Sequence, residues 1–419
     1  MNAHLLHKLT HIVLLAMALS AAGARAEDPA TPIFSYSGFG TVGLVHSSED
    51  KADFTSSLFK PNGPGHSHDW SADVDSLIAA QVTANLTPEL SAVLQVVSEQ
   101  NYDDTYQPHV EWADLKYQLT PDLSVRGGRS VLPIFMVSEF RKVGYANPWV
   151  RPPVEVYGMV PVTSNDGVDL SYRAQFGAAT STFQIAAGQS DSKLPDATAG
   201  TLTAKARDIL ILTDTFEHGF ATVRLAYLQL NLTIPELAPL IGAFRQFGPQ
   251  GMAIADRYEV NDNPVTVLNI GASYNPGSWF VTGEWSTLDS DSKLIGEKSA
   301  WYVSGGHRFG RFTPYLTYAQ AKADTLSDPG LDLSAVPPDL AGSAAQLNGA
   351  LNSFLSTHVV QNTVSVGGRW ELTRNAAFKL QYDHTRVGAG SSGVLRNPQP
   401  GFELGGKVDV FSVAMDFVF

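Results

Sequence analysis

Cysteine is missing from this chain of 419 residues. That excludes disulfides, thiolate chemistry and the cysteine-based zinc and iron–sulfur sites. Charge is scarce as well: Asp, Glu, Lys and Arg make up 16% of the chain, where a soluble protein carries roughly a quarter. The scarcer sign is positive, 28 Lys and Arg against 41 Asp and Glu for a formal charge of −13. Nucleic-acid binding needs a basic face, so this balance argues against it. Long apolar runs are absent beyond the N-terminus; a bundle of membrane-spanning helices would need about 18 such residues at a stretch. What the chain does have is aromatic residues, 21 Phe, 14 Tyr and 7 Trp, together with 36 Gly. That much apolar surface excludes disorder, and a mean hydropathy of −0.05 points to a β-rich chain with two unlike faces.

The first 26 residues read as a secretory signal peptide. Lys8 gives a basic start, Ile12 to Leu19 form an apolar stretch too short to span a bilayer, and Ala24-Arg25-Ala26 is a small-x-small cleavage site. Residues 27–419 are then one exported domain of formal charge −15, since the segment removes one Lys, one Arg and no acid.

Through that domain, segments of 10–14 residues alternate apolar and polar side chains, the period-2 signal of strands. In the last segment Phe411, Val413, Met415, Phe417 and Phe419 share one face, and Val408, Val410, Ser412, Ala414 and Asp416 the other. The spacing predicts strands at 33–46, 72–86, 89–100, 108–119, 122–130, 164–176, 179–190, 203–216, 219–231, 264–274, 278–289, 297–309, 311–322, 358–373, 376–388 and 404–419. Connections alternate strictly between long (47–71, 101–107, 131–163, 191–202, 232–263, 290–296, 323–357, 389–403) and tight, such as Thr87-Pro88 and Arg374-Asn375. Eight long loops on one rim and seven tight turns on the other describe a 16-stranded antiparallel transmembrane β-barrel. A soluble sandwich does not require that parity. Two segments break the pattern: 208–216 has ambiguous facing, and Arg129 interrupts its strand's alternation.

With its signal peptide, its terminal strand FSVAMDFVF, its opening Ser37-Gly38-Phe39-Gly40 and its long third loop, the chain resembles the Gram-negative general porins, trimeric 16-stranded diffusion channels. The resemblance implies a homotrimer in the cell outer membrane. Its partners would be lipid and lipopolysaccharide, the barrel assembly machinery, and small hydrophilic solutes and ions. It also implies an assembly signal on Met415, Phe417 and Phe419, a third loop folded into the pore, and no cofactor.

That third loop, 131–163, is too apolar for free exposure, with Ile134, Phe135, Met136, Phe140, Tyr145, Trp149, Val156 and Tyr157 among its members. Its charges, Glu139, Arg141, Lys142, Arg151 and Glu155, are the candidate pore constriction. Alternation places Asp73, Asp75, Asp114, Lys116, Arg126, Arg173, Arg308 and Arg369 on the pore wall, with Glu99, Asp169, Arg224, Glu284, Lys379 and Asp383 also facing inward. In the porin family, acids on the loop oppose bases on the wall. Here the loop carries three bases and two acids, so Arg141, Lys142 and Arg151 are expected to face wall acids such as Asp73, Asp75 and Asp114.

Other motifs lack their context. Gly38-Phe39-Gly40-Thr41-Val42-Gly43 matches a dinucleotide fingerprint in letters, without the preceding strand and following helix that give it meaning. His66 and His68 offer two metal ligands without a third. Helical periodicity at 237–244 and 334–354 predicts short loop helices packed on the rim or a neighbouring subunit. Rival readings are a channel with a dedicated solute site, a barrel enzyme, for which no Ser, His and Asp assemble convincingly, and a plugged, purely structural barrel.

Overall fold

A computed structural model describes residues 33–196 and 200–419; the expected signal segment lies outside them. Sixteen antiparallel strands close into one barrel. They are β1 Phe34–Ser47, β2 Leu77–Asn85, β3 Leu90–Glu99, β4 His109–Thr120, β5 Leu123–Val131, β6 Ser164–Phe176, β7 Ala179–Asp196, β8 Gly200–His218, β9 Ala221–Thr233, β10 Asn263–Tyr274, β11 Trp279–Ser290, β12 Lys298–His307, β13 Phe312–Ala323, β14 Gln361–Thr373, β15 Ala376–Val387 and β16 Gly406–Val418. Each strand pairs with its sequence neighbours, and β1 closes the ring against β16 with Phe39 opposite Val418. Two-residue strands, Asp53–Phe54, Trp70–Ser71 and Leu395–Arg396, lie in the long loops outside the ring. Closure leaves no edge strand, which satisfies the backbone wherever water is absent.

The outer surface follows the alternation. Leu115, Tyr117, Val168, Leu170, Tyr172, Ile185, Leu225, Ile270, Leu316 and Val366 all stand exposed on the outside. An apolar belt of this extent is foreign to a water-soluble monomer and is what a lipid-facing barrel presents.

Closure depends on a fit between the chain ends. Gly38 and Phe419 exchange backbone hydrogen bonds (2.8 and 3.0 Å). The Phe419 ring lies over Gly38 and the Phe417 ring over Gly40, where any Cβ would overlap them; the two rings stack with centroids 6.3 Å apart. The opening Gly-x-Gly is therefore a seat for the terminal aromatics.

The interior is divided. The inner faces of β8 to β13 carry Ile209, Ile211, Leu228, Leu230, Val267, Leu288, Ala300, Tyr302 and Ala319. These pack with loop residues Ile134, Phe135, Trp149, Val156 and Met159 into one apolar core inside the barrel. The loop helices α1 Val154–Tyr157, α2 Ala238–Phe244, α3 Gly248–Tyr258 and α4 Ala341–Leu355 add Ile241, Phe244, Ile254, Leu351 and Leu355 to that core. The inner face of β4 to β6 stays polar, while Leu77, Ala79 and Val97 on β2 and β3 form a small apolar patch with Phe39 and Val143.

Three expectations change. The fourth long connection, 191–202, is mostly ladder: β7 and β8 extend to 18 and 19 residues, pairing Asp191 with Lys205 through to Asp196 with Gly200. β2 starts at Leu77 rather than at 72, because Ala72–Ser76 forms a turn in which Ser71 Oγ accepts from Asp73 N (3.0 Å) and Ser76 N donates to Ala72 O (3.3 Å). The second expected loop helix starts at Ala341 rather than at 334, and both loop helices put an apolar face into the core while their other faces stay exposed or half-buried. The ambiguous facing near 208 has a cause: the register shifts between Arg207 and Leu210, with Asp208 at φ 50°. This moves the inward positions from Ala204 and Ala206 to Ile209 and Ile211.

Candidate functional site

The loop between β5 and β6 crosses the lumen and is fastened to the wall nearly all round. Its first half meets β9 and β11. Met136 N donates to Glu284 Oε2 (2.9 Å). Glu284 also accepts from the Tyr157 and Tyr302 hydroxyls. Arg224, inward on β9, binds Glu139 through two nitrogens (2.7 and 3.1 Å) and reaches Phe135 O (3.1 Å).

The middle of the loop meets β14 to β16. Lys379, fully buried, donates to Gly144 O and Trp149 O (both 2.7 Å) and pairs with Asp416 (2.7 Å). Arg369 donates to the carbonyls of Tyr145 and Asn147. Gly144 lies directly on Asp416 and Thr41, so a side chain there would overlap the wall. Trp149 Nε1 donates to Ser304 Oγ (2.8 Å), and Val150 N to Gln381 Oε1 (3.1 Å).

Loop cations close the ring. Arg151 forms a bidentate pair with Asp75 (2.9 and 2.6 Å), a second pair with Asp383 (3.2 Å), and donates to Ser412 Oγ (2.6 Å). Burial penalises the guanidinium's charge, but Asp75 and Asp383 outweigh it and hold its pKa above the ordinary value. Lys142 lies between Glu99 and Glu111, 2.7 Å from each. Burial penalises its charge, yet Glu111 and Glu99 outweigh that and raise its pKa. Glu155 is buried on α1, with Gln361 Nε2 (2.7 Å) and Thr363 Oγ1 (2.5 Å) both donating to Oε1. Burial raises its pKa, and those two hydrogen bonds only partly offset the effect.

The three-cation expectation thus resolves unevenly. Arg151 meets Asp75. Lys142 meets Glu99 and Glu111 rather than Asp73 or Asp114. The Arg141 guanidinium has no hydrogen bond or ion pair among the described residues. Asp73 instead accepts from the Tyr106 hydroxyl (2.6 Å). Asp114 lies buried beside Arg126, which pairs with Asp169 (2.6 Å). Lys116 and Arg173 are exposed on the inner face. Arg308 is not mid-wall: it lies beyond the end of β12 and donates to Asn275 Oδ1 (2.9 Å) and Gly277 O (2.8 Å) at the short-turn rim. Arg129 faces outward and pairs with Asp166 at two positions (both 2.6 Å). Met415 faces outward, and Phe417 and Phe419 occupy their glycine seats.

Glu111 escaped the sequence reading. A register shift between Gln95 and Val96 leaves it as the extra residue of a bulge in β4, so His109 and Glu111 face inward in one phase and Trp112 and Asp114 in the other. The signal was present in that phase change. Lys60, in the first loop, was also missed; its ammonium donates to Asp73 O (3.1 Å) and Gln100 O (3.5 Å).

The loop leaves space on both sides of its 144–150 segment. A cavity of about 430 Å³ lies between Lys60, Glu99, Glu111, Arg141, Lys142 and Arg151 on the long-loop side. Another of about 330 Å³, bordered by Phe140, Asn147, Arg308 and Arg369, opens on the short-turn side.

No protein-family profile and no curated protein sequence matches the chain. Solved structures do match. An anion-selective porin from Comamonas acidovorans is 14% identical, covering 92% of this chain and 100% of its own, with a TM-score of 0.52. OmpF of Salmonella typhi, in complex with daunomycin, is 13% identical over 92% of this chain and 97% of its own, with a TM-score of 0.53. The outer membrane channel DcaP of Acinetobacter baumannii is 12% identical over 92% and 97%, with a TM-score of 0.54. These likenesses show the fold: the chain is a porin-type barrel.

Proposed function

We propose that the protein is an outer-membrane porin, a water-filled channel for passive diffusion of ions and small hydrophilic solutes. On this reading it is exported after cleavage of residues 1–26 and assembles as a homotrimer among lipid and lipopolysaccharide. It acts as a channel, not an enzyme. The observation that carries the reading is the cross-barrel loop: its Arg151, Lys142 and Glu139 are paired with wall charges, and open polar space flanks it on both sides. Fixed charges facing one another across a narrow aqueous gap orient polar solutes and disfavour apolar ones, which must strip ordered water. The apolar belt outside supplies the matching lipid contact.

Two measurements test the proposal. Purified protein added to a planar bilayer is expected to give stepwise KCl conductance, with closures in three steps for a trimer. Liposomes carrying it are expected to swell in isotonic solutions of small sugars and less so in larger ones. Absence of conductance and of swelling from correctly folded protein overturns the channel reading.

A further inference from the structure

Above α1, on the long-loop side, a separate cavity of about 180 Å³ lies between the first, third, sixth, seventh and eighth long loops. Its wall is mainly aliphatic and aromatic, with Leu202, Leu288, Leu294 and Phe354 among its members; of the Lys and Arg residues on it, Lys298 at the start of β12 and Arg396 in the last long loop are half-buried, whereas Lys322 is exposed. Neither the Lys298 ammonium nor the Arg396 guanidinium has a hydrogen bond or ion pair among the described residues. The nearest carboxylates are engaged elsewhere or weak as counter-charges. Asp324 binds Lys293 (3.0 Å) and the Glu297 amide (3.0 Å). Glu155 is tied to Gln361 and Thr363 on the cavity floor. Asp196 is part of the same wall and lies near Arg396.

Two cations held in a mainly apolar pocket without a directly bonded carboxylate are costly to keep, because burial removes water and the nearby charges of Asp196 and Asp324 offset only part of that loss. For Arg396 that cost shows as a pKa below the ordinary value, caused by burial. An anion entering between the cations would remove the cost, and the aliphatic walls would favour an apolar body over hydroxyls, for which they offer no partners. We propose that this pocket binds a small amphipathic monoanion, its carboxylate between Lys298 and Arg396 and its apolar body against Leu202, Leu288, Leu294 and Phe354. As an entry subsite of the channel it rests on the porin reading; binding itself does not.

The probe is 3-phenylpropionate, with 3-phenylpropionamide (same body, no charge) and propionate (same charge, little body) as comparators. Binding is followed by equilibrium dialysis on the full-length protein in detergent. Saturable binding of phenylpropionate at one site per chain is expected, with the amide and propionate each at least about tenfold weaker. Lys298→Gln and Arg396→Gln are each expected to weaken the acid about tenfold, whereas Lys298→Arg retains it. Equal binding of acid and amide, or no saturable binding of the acid, overturns the proposal on the native protein, with no variant needed. Binding unchanged in both glutamine variants also overturns it. KCl conductance of the same preparation keeps the two readings apart: binding without conductance sinks the channel and leaves the pocket standing, and conductance without binding does the reverse.

Discussion

Asp75 and Asp383 both converge on the Arg151 guanidinium, and all three side chains are buried. Removing the cation leaves two carboxylates close together without a counter-charge, a change that costs about 3–5 kcal/mol in buried pairs. Arg151→Ala is therefore expected to detach the loop from β15 and β16, seen as a lower melting temperature and as noisier, larger conductance steps. Arg151→Lys cannot reproduce the bidentate contact and is expected to fall between. Glu155 makes the opposite case. Its folded-state pKa is raised, so the carboxyl favours folding when protonated, and that contribution is lost as pH rises from the ordinary glutamate range through the raised value. Glu155→Gln keeps an oxygen for Gln361 and Thr363 to donate to and carries no charge. Its melting temperature at pH 8 should exceed the parent's by roughly 2–4 °C, and the gain should vanish below pH 4. A gain that persists at low pH would mean packing, not ionisation, separates the two proteins.

At the level of elements, the strands were legible because lipid outside and water inside impose a period of two on every spanning segment. That pressure ends at the rim. Beyond it Lys193, Leu194 and Pro195 show no lipid-driven alternation, yet they pair with Thr203, Leu202 and Thr201, so the long β7–β8 arm read as loop. Inside the barrel the loop's charges were legible as candidates, but their partners were not. Which wall residue meets Lys142 depends on the loop's path and on the bulge that turns Glu111 inward, and neither is written in local sequence. The terminal aromatics and their glycines show a coupling between elements that sequence spacing hides, since Gly40 and Phe417 are cross-strand partners at opposite ends of the chain. Gly40→Val is expected to displace the Phe417 ring and cost about 1–3 kcal/mol, read as a lower yield of folded barrel on refolding into detergent. Adding Phe417→Ala should recover part of that loss, because the clash goes with the ring; strictly additive losses would show that the ring does not sit on the glycine.

For the whole molecule, net charge and channel selectivity point in opposite directions. Without residues 1–26, the proposed signal segment, the chain carries −15, which by itself would draw cations. Selectivity is set where the path is narrowest and least screened, not by the sum over the surface. The residues around the 430 Å³ space include Lys60, Arg141, Lys142, Arg151 and Lys193 against Asp75, Glu99, Glu111 and Asp191, with Arg129 spent on Asp166. The inner wall below adds Lys116, Arg126 and Arg173 against Asp114 and Asp169. Both sets are in positive excess, and among their cations Arg141 has no carboxylate holding it. The channel should therefore favour chloride over potassium, giving a reversal potential of the anion-selective sign in a KCl gradient. Arg141→Glu moves two charges into the narrowest region and should shift that potential toward the potassium value, more strongly at low salt, where the Debye length is long. Lys407→Glu, far from the loop on the last strand's exposed start, changes the net charge equally and should leave the potential nearly unmoved. If the two variants shift it alike, the field of the whole protein governs permeation and the cross-barrel loop does not.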